Sequence, residues 1–97
     1  MRVSVRFFAS LRELVGKKVE ILEFSDSAEV TVEKGLKRLA EFYGKDFVEY
    51  VFSEKAGEIK SYLTLLVNGR STAVLNGLET RLTDGDVLAI LPPVGGG

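Results

Sequence analysis

From Arg2 to Phe7 the chain alternates strictly, with Val3, Val5 and Phe7 on one face and Arg2, Ser4 and Arg6 on the other. That period of two predicts a half-buried strand. Ser10-Leu11-Arg12-Glu13 has the S-x-x-E spacing of a capping box, Leu11, Leu14 and Val15 supply apolar contacts, and Gly16 suits the position after a helix end. One or two helical turns are predicted there. Val19, Ile21 and Phe24 then give an irregular strand pattern, read as a strand over Lys17 to Phe24 with a bulge or change of face near Leu22.

From Thr31 the period changes. Val32, Leu36, Leu39, Ala40 and Tyr43 follow helical spacing, with Thr31 as N-cap and Gly44 as stop. Gly35 inside this run costs about 1 kcal/mol relative to alanine. Phe47, Val48, Val51 and Phe52 repeat the i, i+4 spacing and predict a short second helix ending before Gly57. Leu63, Leu65 and Val67 alternate with Tyr62, Thr64 and Leu66, and Asn68-Gly69 follows as a type I′ hairpin turn with a return strand near Ser71 to Val74. Leu75 to Thr83 has no clean period and reads as a loop with one 3₁₀ turn. Thr83-Asp84-Gly85-Asp86 is a turn rather than a pair of working carboxylates, and Val87 to Leu91 is the last strand.

This order of strand, strand, helix and three further strands is not the βα alternation of a doubly wound sheet. It predicts an α+β fold in which a mixed sheet of four or five strands packs on one main helix plus short helices. The last strand belongs in the middle beside the first, with Leu88 and Ile90 toward the core. Residues 1–91 form a single domain on this reading, and 92–97 a flexible glycine-rich tail.

The same alternation leaves Phe8, Leu66 and Leu91 on the open face of the sheet, next to the root of the tail. Three large apolar groups there form a docking patch for a partner. The tail itself is Pro92-Pro93-Val94-Gly95-Gly96-Gly97. Prolines end the strand, glycines make a thin segment that can thread a narrow channel, and six extended residues reach roughly 20 Å. The tail's last group is expected to be a free carboxylate, at Gly97.

Composition narrows the chemistry. Ninety-seven residues make one domain, and 45% apolar with 28% charged residues is ordinary for a globular protein. There is no Cys and no His, which removes thiol nucleophiles, disulfides, Cys/His zinc sites and imidazole catalysis. No metal site is expected. A net charge of −1 gives no field for nucleic acid, and no stretch is long and apolar enough to span a membrane. Met1-Arg2 leads straight into a strand pattern without the apolar core of a signal peptide, so the expected location is the cytoplasm. No GxxxxGK[ST] or GxGxxG is present, and no cofactor is expected on this chain.

Val5-Arg6-Phe7-Phe8-Ala9-Ser10-Leu11-Arg12-Glu13-Leu14-Val15-Gly16 resembles the opening of the small subunit of molybdopterin synthase, and Leu82-Thr83-Asp84-Gly85-Asp86 with Pro92-Pro93-Val94-Gly95-Gly96-Gly97 resembles its ending. The likeness runs the whole chain, although Phe47 to Gly57 is longer than the minimal pattern. It implies the β-grasp, ubiquitin-like fold of the sulfur-carrier family. It also implies that an E1-like adenylating enzyme, using ATP and magnesium, activates the Gly97 carboxylate and that a sulfur donor converts it to a thiocarboxylate. The large synthase subunit would then receive Pro92, Pro93, Val94, Gly95, Gly96 and Gly97 in its active site, where sulfur passes to cyclic pyranopterin monophosphate. The chain would be catalytic only as part of that sulfurtransferase complex. Archaeal ubiquitin-like modifiers, linked through Gly97 to lysines of other proteins, resemble the chain almost equally well. A thiazole-pathway sulfur carrier shares the Gly-Gly end but usually lacks the Phe-Phe-Ala opening and the Pro-Pro-Val stop, and a non-catalytic β-grasp binding module would make the terminal glycines dispensable.

Overall fold

The computed structural model describes residues 1–55 and 57–93. In chain order the elements are β1 (Arg2–Phe7), α1 (Ala9–Val15), β2 (Val19–Glu23), β3 (Val30–Thr31), α2 (Val32–Tyr43), α3 (Lys45–Val51), β4 (Thr64–Val67), β5 (Arg70–Ser71), β6 (Arg81–Leu82) and β7 (Val87–Leu91), with 3₁₀ turns at Thr72–Val74 and Gly77–Glu79. Among the described residues the main sheet has five strands in the order β2-β1-β7-β4-β5, and β3 pairs with β6 in a separate two-stranded ladder. β7 runs parallel to β1 and antiparallel to β4, which makes it the central strand.

One face of this sheet makes the core. Val3, Val5 and Phe7 of β1, Leu88 and Ile90 of β7, and Leu65 of β4 are at most 2% exposed. They pack in one cluster with Leu36 and Leu39 of α2 and Phe47 and Val51 of α3, all fully buried. Each such side chain contributes about 1.5–3 kcal/mol by leaving water. Thr31 Oγ1 accepts the Lys34 N–H at 3.2 Å and caps α2 as its sequence position predicts, and Gly44 closes the helix at φ 77°.

Gly35 lies on the buried side of α2. A Cβ placed there meets Leu82 Cδ1 at 3.7 Å and Leu22 Cδ1 at 4.0 Å, ordinary contact distances. Gly35→Ala should therefore stabilise the protein by about 0.5–1 kcal/mol through reduced backbone entropy in the unfolded chain. The urea midpoint should rise; a fall would show that α2 needs a closer approach to β6 than these distances indicate.

The Asn68-Gly69 turn has positive φ at both residues, 51° and 84°, as a type I′ hairpin requires. Asn68 also ties the hairpin to the central strand, donating from Nδ2 to Asp86 Oδ1 at 2.9 Å and accepting the Val87 N–H at 2.9 Å. Asp86 Oδ2 accepts the Thr83 N–H at 2.8 Å, and Asp84 Oδ1 accepts the Arg2 N–H at 2.7 Å. Both carboxylates are thus consumed in holding the turn.

Four expectations need correction. Ser10 does not cap α1: the helix starts one residue before it, directly from the extended Phe8, and the Ser10 hydroxyl bonds the Tyr50 hydroxyl instead. β2 has neither bulge nor change of face, since its ladder with β1 runs unbroken from Arg2↔Glu23 to Arg6↔Val19. Val19 and Ile21 consequently point outward, 42% and 45% exposed, while Leu22 and Phe24 are buried. The return strand after the hairpin ends at Ser71, where the Ser71 hydroxyl caps a 3₁₀ turn by accepting the Ala73 N–H at 3.2 Å. Finally, the supposed loop over Leu75 to Thr83 contains β6, held by pairing with β3.

Glu20 occupies the inward side of β2 that the apolar pattern had given to its neighbours. It is satisfied there by the Tyr43 hydroxyl, which donates to Oε1 at 2.7 Å, and by the Lys17 ammonium at 3.1 Å. The Tyr43 bond is the main cause that holds the Glu20 carboxyl below its ordinary 4.5, against burial and aided by Lys17. A carboxyl depressed in the folded state stabilises the fold above its unfolded value and loses that stabilisation as pH falls through the folded value. Stability should therefore decline below about pH 4.5 more steeply in the wild type than in Tyr43→Phe, measured as urea midpoints across the acid range. Parallel declines would remove this bond from the acid response.

Candidate functional site

β7 delivers the tail from the centre of the sheet. Leu91 pairs with Thr64 of β4 on one side, and Phe7↔Ile90 is the last pair with β1 on the other, which sets Phe8 beside the strand's end. Pro92 is buried and continues the inward series of Leu88 and Ile90, while Pro93 is exposed. Pro93 is therefore the first residue of the run to face solvent. Val94, Gly95, Gly96 and Gly97, which carry the expected threading segment and reactive carboxylate, lie outside the described residues.

Around that root the outer face of the sheet is apolar. Leu66 and Leu91 point away from the core and are partly buried, and the Phe8 ring lies beneath the outward Arg6 guanidinium, 5.6 Å from carbon to ring centroid. The registers extend this surface beyond the three residues expected from sequence. Val19, Arg6, Ala89, Leu66 and Ser71 form one row across all five strands, and Ile21, Ser4 and Val87 form the next. Val19 and Ile21 were missed because their apolar character suggested the core. Only the pairing of Arg6 with Val19 shows which way they point, and the signal available in sequence was that Leu22 and Phe24 share the opposite parity.

On the helical side of the same end, Tyr62 precedes β4 and donates its hydroxyl to the Tyr50 carbonyl at 2.8 Å, with the two rings edge to face at 6.2 Å. Burial pushes the Tyr62 hydroxyl pKa up, so it remains a neutral donor at ordinary pH. At the other end of β1, a cavity of about 320 Å³ is lined by Met1, Asp26, Glu29, Arg81, Thr83 and Asp84 among others. Four of its charged groups are paired, Met1 ammonium to Asp26 at 2.6 Å and Arg81 to Glu29 at 2.9 Å, and Asp84 accepts the Arg2 N–H. Among the described residues no cluster of His, Cys, Asp or Glu is arranged to hold a metal ion, and no helix is long and apolar enough to cross a membrane. Among the described residues the candidate site is the outer sheet face beside Leu91, Pro92 and Pro93.

The chain belongs to the ThiS family, whose model matches residues 5–97. It is 37% identical to small archaeal modifier protein 3 of Haloferax volcanii over 97 residues, covering the whole of both chains. The crystal structure of SAMP1 from Haloferax volcanii superposes with a TM-score of 0.81 at 28% identity, again over the whole of both chains. A Pyrococcus furiosus structure provisionally named molybdopterin converting factor subunit 1 superposes with a TM-score of 0.74 at 31% identity, over 97% of this chain and 99% of that one. The fold is accordingly the β-grasp, and the chain is a member of the ubiquitin-like sulfur carriers and modifiers.

Proposed function

We propose that this ThiS-family chain is the sulfur-donating small subunit of a molybdopterin synthase, with Gly97 as its reacting end. An E1-like enzyme joins the Gly97 carboxylate to the α-phosphate of ATP, releasing pyrophosphate. A sulfur donor then attacks the acyl carbon, AMP leaves, and a thiocarboxylate remains. That group is an ionised, soft nucleophile without further activation, which suits a chain with no Cys and no His. The adenylate-forming site, its magnesium and the pterin pocket belong to partners. What this chain supplies is the tail and the surface that seats it, and the observation that carries the reading is the apolar outer face running to the root of the tail through Leu66, Leu91 and Phe8.

Likeness to the converting-factor subunit supports the molybdopterin role, whereas 37% identity to a modifier protein favours a second reading in which Gly97 is joined to lysines of other proteins. Deleting the gene separates them. Loss of molybdopterin with the set of lysine conjugates unchanged is the expected result. Normal molybdopterin with loss of lysines bearing the Leu82–Gly97 tryptic remnant would replace the first reading by the second.

A further inference from the structure

Arg6 stands in the middle of the outer face, and among the described residues no acid pairs with it. It lies between Val19 on β2 and Ala89 on β7, with Leu66 beyond Ala89. Its recorded contact is the Phe8 ring. Among the described residues it makes no ion pair; of the carboxylates on and next to the neighbouring strands, Glu23 pairs with Arg2 at 3.3 Å, Asp86 holds the turn, and Glu20, on the opposite side of the sheet, bonds Tyr43 and Lys17. A guanidinium flanked by Val19, Ala89 and Leu66 is tolerable while water covers it. Covered by a purely apolar partner it becomes a buried charge without an acceptor, which is strongly unfavourable, and a basic partner surface would be repelled.

We propose that Arg6 is the specificity-determining centre of the docking face, and that the E1-like adenylating enzyme seated on it presents a carboxylate to the Arg6 guanidinium within a ring of apolar contacts to Val19, Leu66, Phe8 and Leu91. The inference rests on the reading that a partner takes the tail at this face. The planar fork of arginine accepts a carboxylate with two parallel bonds, a geometry lysine cannot match. The apolar ring excludes water from that pair, and the pair fixes the register in which the tail enters the partner.

Calorimetric titration with the E1-like adenylating enzyme of the same genome tests this, using wild type, Arg6→Met and Arg6→Glu. Arg6→Met keeps the length and apolar stem but removes the charge, so melting temperature should be unchanged while binding weakens roughly 30-fold or more, because the enzyme's carboxylate is left unpaired. Arg6→Glu should weaken it further. Neutralising the facing carboxylate of the enzyme should make Arg6→Met nearly harmless, the coupling a direct pair requires. Arg6→Met binding as tightly as wild type, or tighter, overturns the inference and leaves an apolar interface alone. If wild type itself does not bind the enzyme, the carrier reading fails and the inference with it, an outcome distinguishable from the previous one.

Discussion

One alanine appended after Gly97 should abolish thiocarboxylate formation and synthase activity while leaving the unfolding midpoint unchanged. In the proposed adenylation a Gly97 carboxylate oxygen attacks the α-phosphorus of ATP held by the partner and displaces pyrophosphate, and the reacting atoms must come within about 3–3.5 Å. An added residue moves the carboxylate by about 3.5 Å and places a Cβ where only glycine had been. On the reading that the partner's channel fits a chain without side chains, neither change can be absorbed. The core cluster described draws on residues from Val3 to Ile90, so no change in stability is expected from an extension beyond Gly97. Full activity from the extended protein, once mass spectrometry has excluded trimming back to Gly97, would mean that the tail is not the reacting group and that the domain works as a binding module.

Adjacent residues of β2 should give opposite phenotypes. Ile21 is 45% exposed on the outer face and Leu22 is 1% exposed in the core. Ile21→Asp should cost about 1 kcal/mol of stability or less, the span of strand preferences, yet weaken partner binding by a few kcal/mol if the apolar row with Val87 is part of the interface. Leu22→Ala should lose about 2–5 kcal/mol of stability through lost burial and a residual cavity. Denaturant unfolding and titration with the E1-like enzyme read the two effects separately. An Ile21→Asp protein that unfolds as readily as Leu22→Ala would place β2 one residue out of register, since a single step exchanges the two faces.

What could be read from sequence alone follows the strength of each local signal. β1 alternates without exception, and Thr31 and Gly44 bracket a run of helical period, so strand, helix and cap all agree with the structure. Asn68-Gly69 fixes its own turn because few other residues accept positive φ twice in succession. Ser10 illustrates the reverse: its spacing to Glu13 suits a cap, but the chain enters α1 straight from β1 and leaves Phe8 at the cap position. β3 and β6 are two residues each and carry no period of their own; they exist because Val30 and Leu82 are brought together by the elements around them. At the outer face, the positions of Phe8, Leu66 and Leu91 follow from alternation along single strands. Val19, Ile21 and the isolation of Arg6 depend on which strand lies beside which, information that resides in the pairing.

Intact-mass spectrometry of the chain ending at Gly97, after incubation with its E1-like enzyme, ATP and a sulfur donor, is the most direct measurement of whether this protein carries sulfur. The expected product has one oxygen replaced by sulfur, localised to Gly97 by fragmentation and absent when ATP is omitted. An enzyme that forms the Gly97 adenylate yet leaves the protein with no sulfur-bearing species, while Gly97 becomes attached to lysines, would contradict the carrier role and leave a modifier in its place.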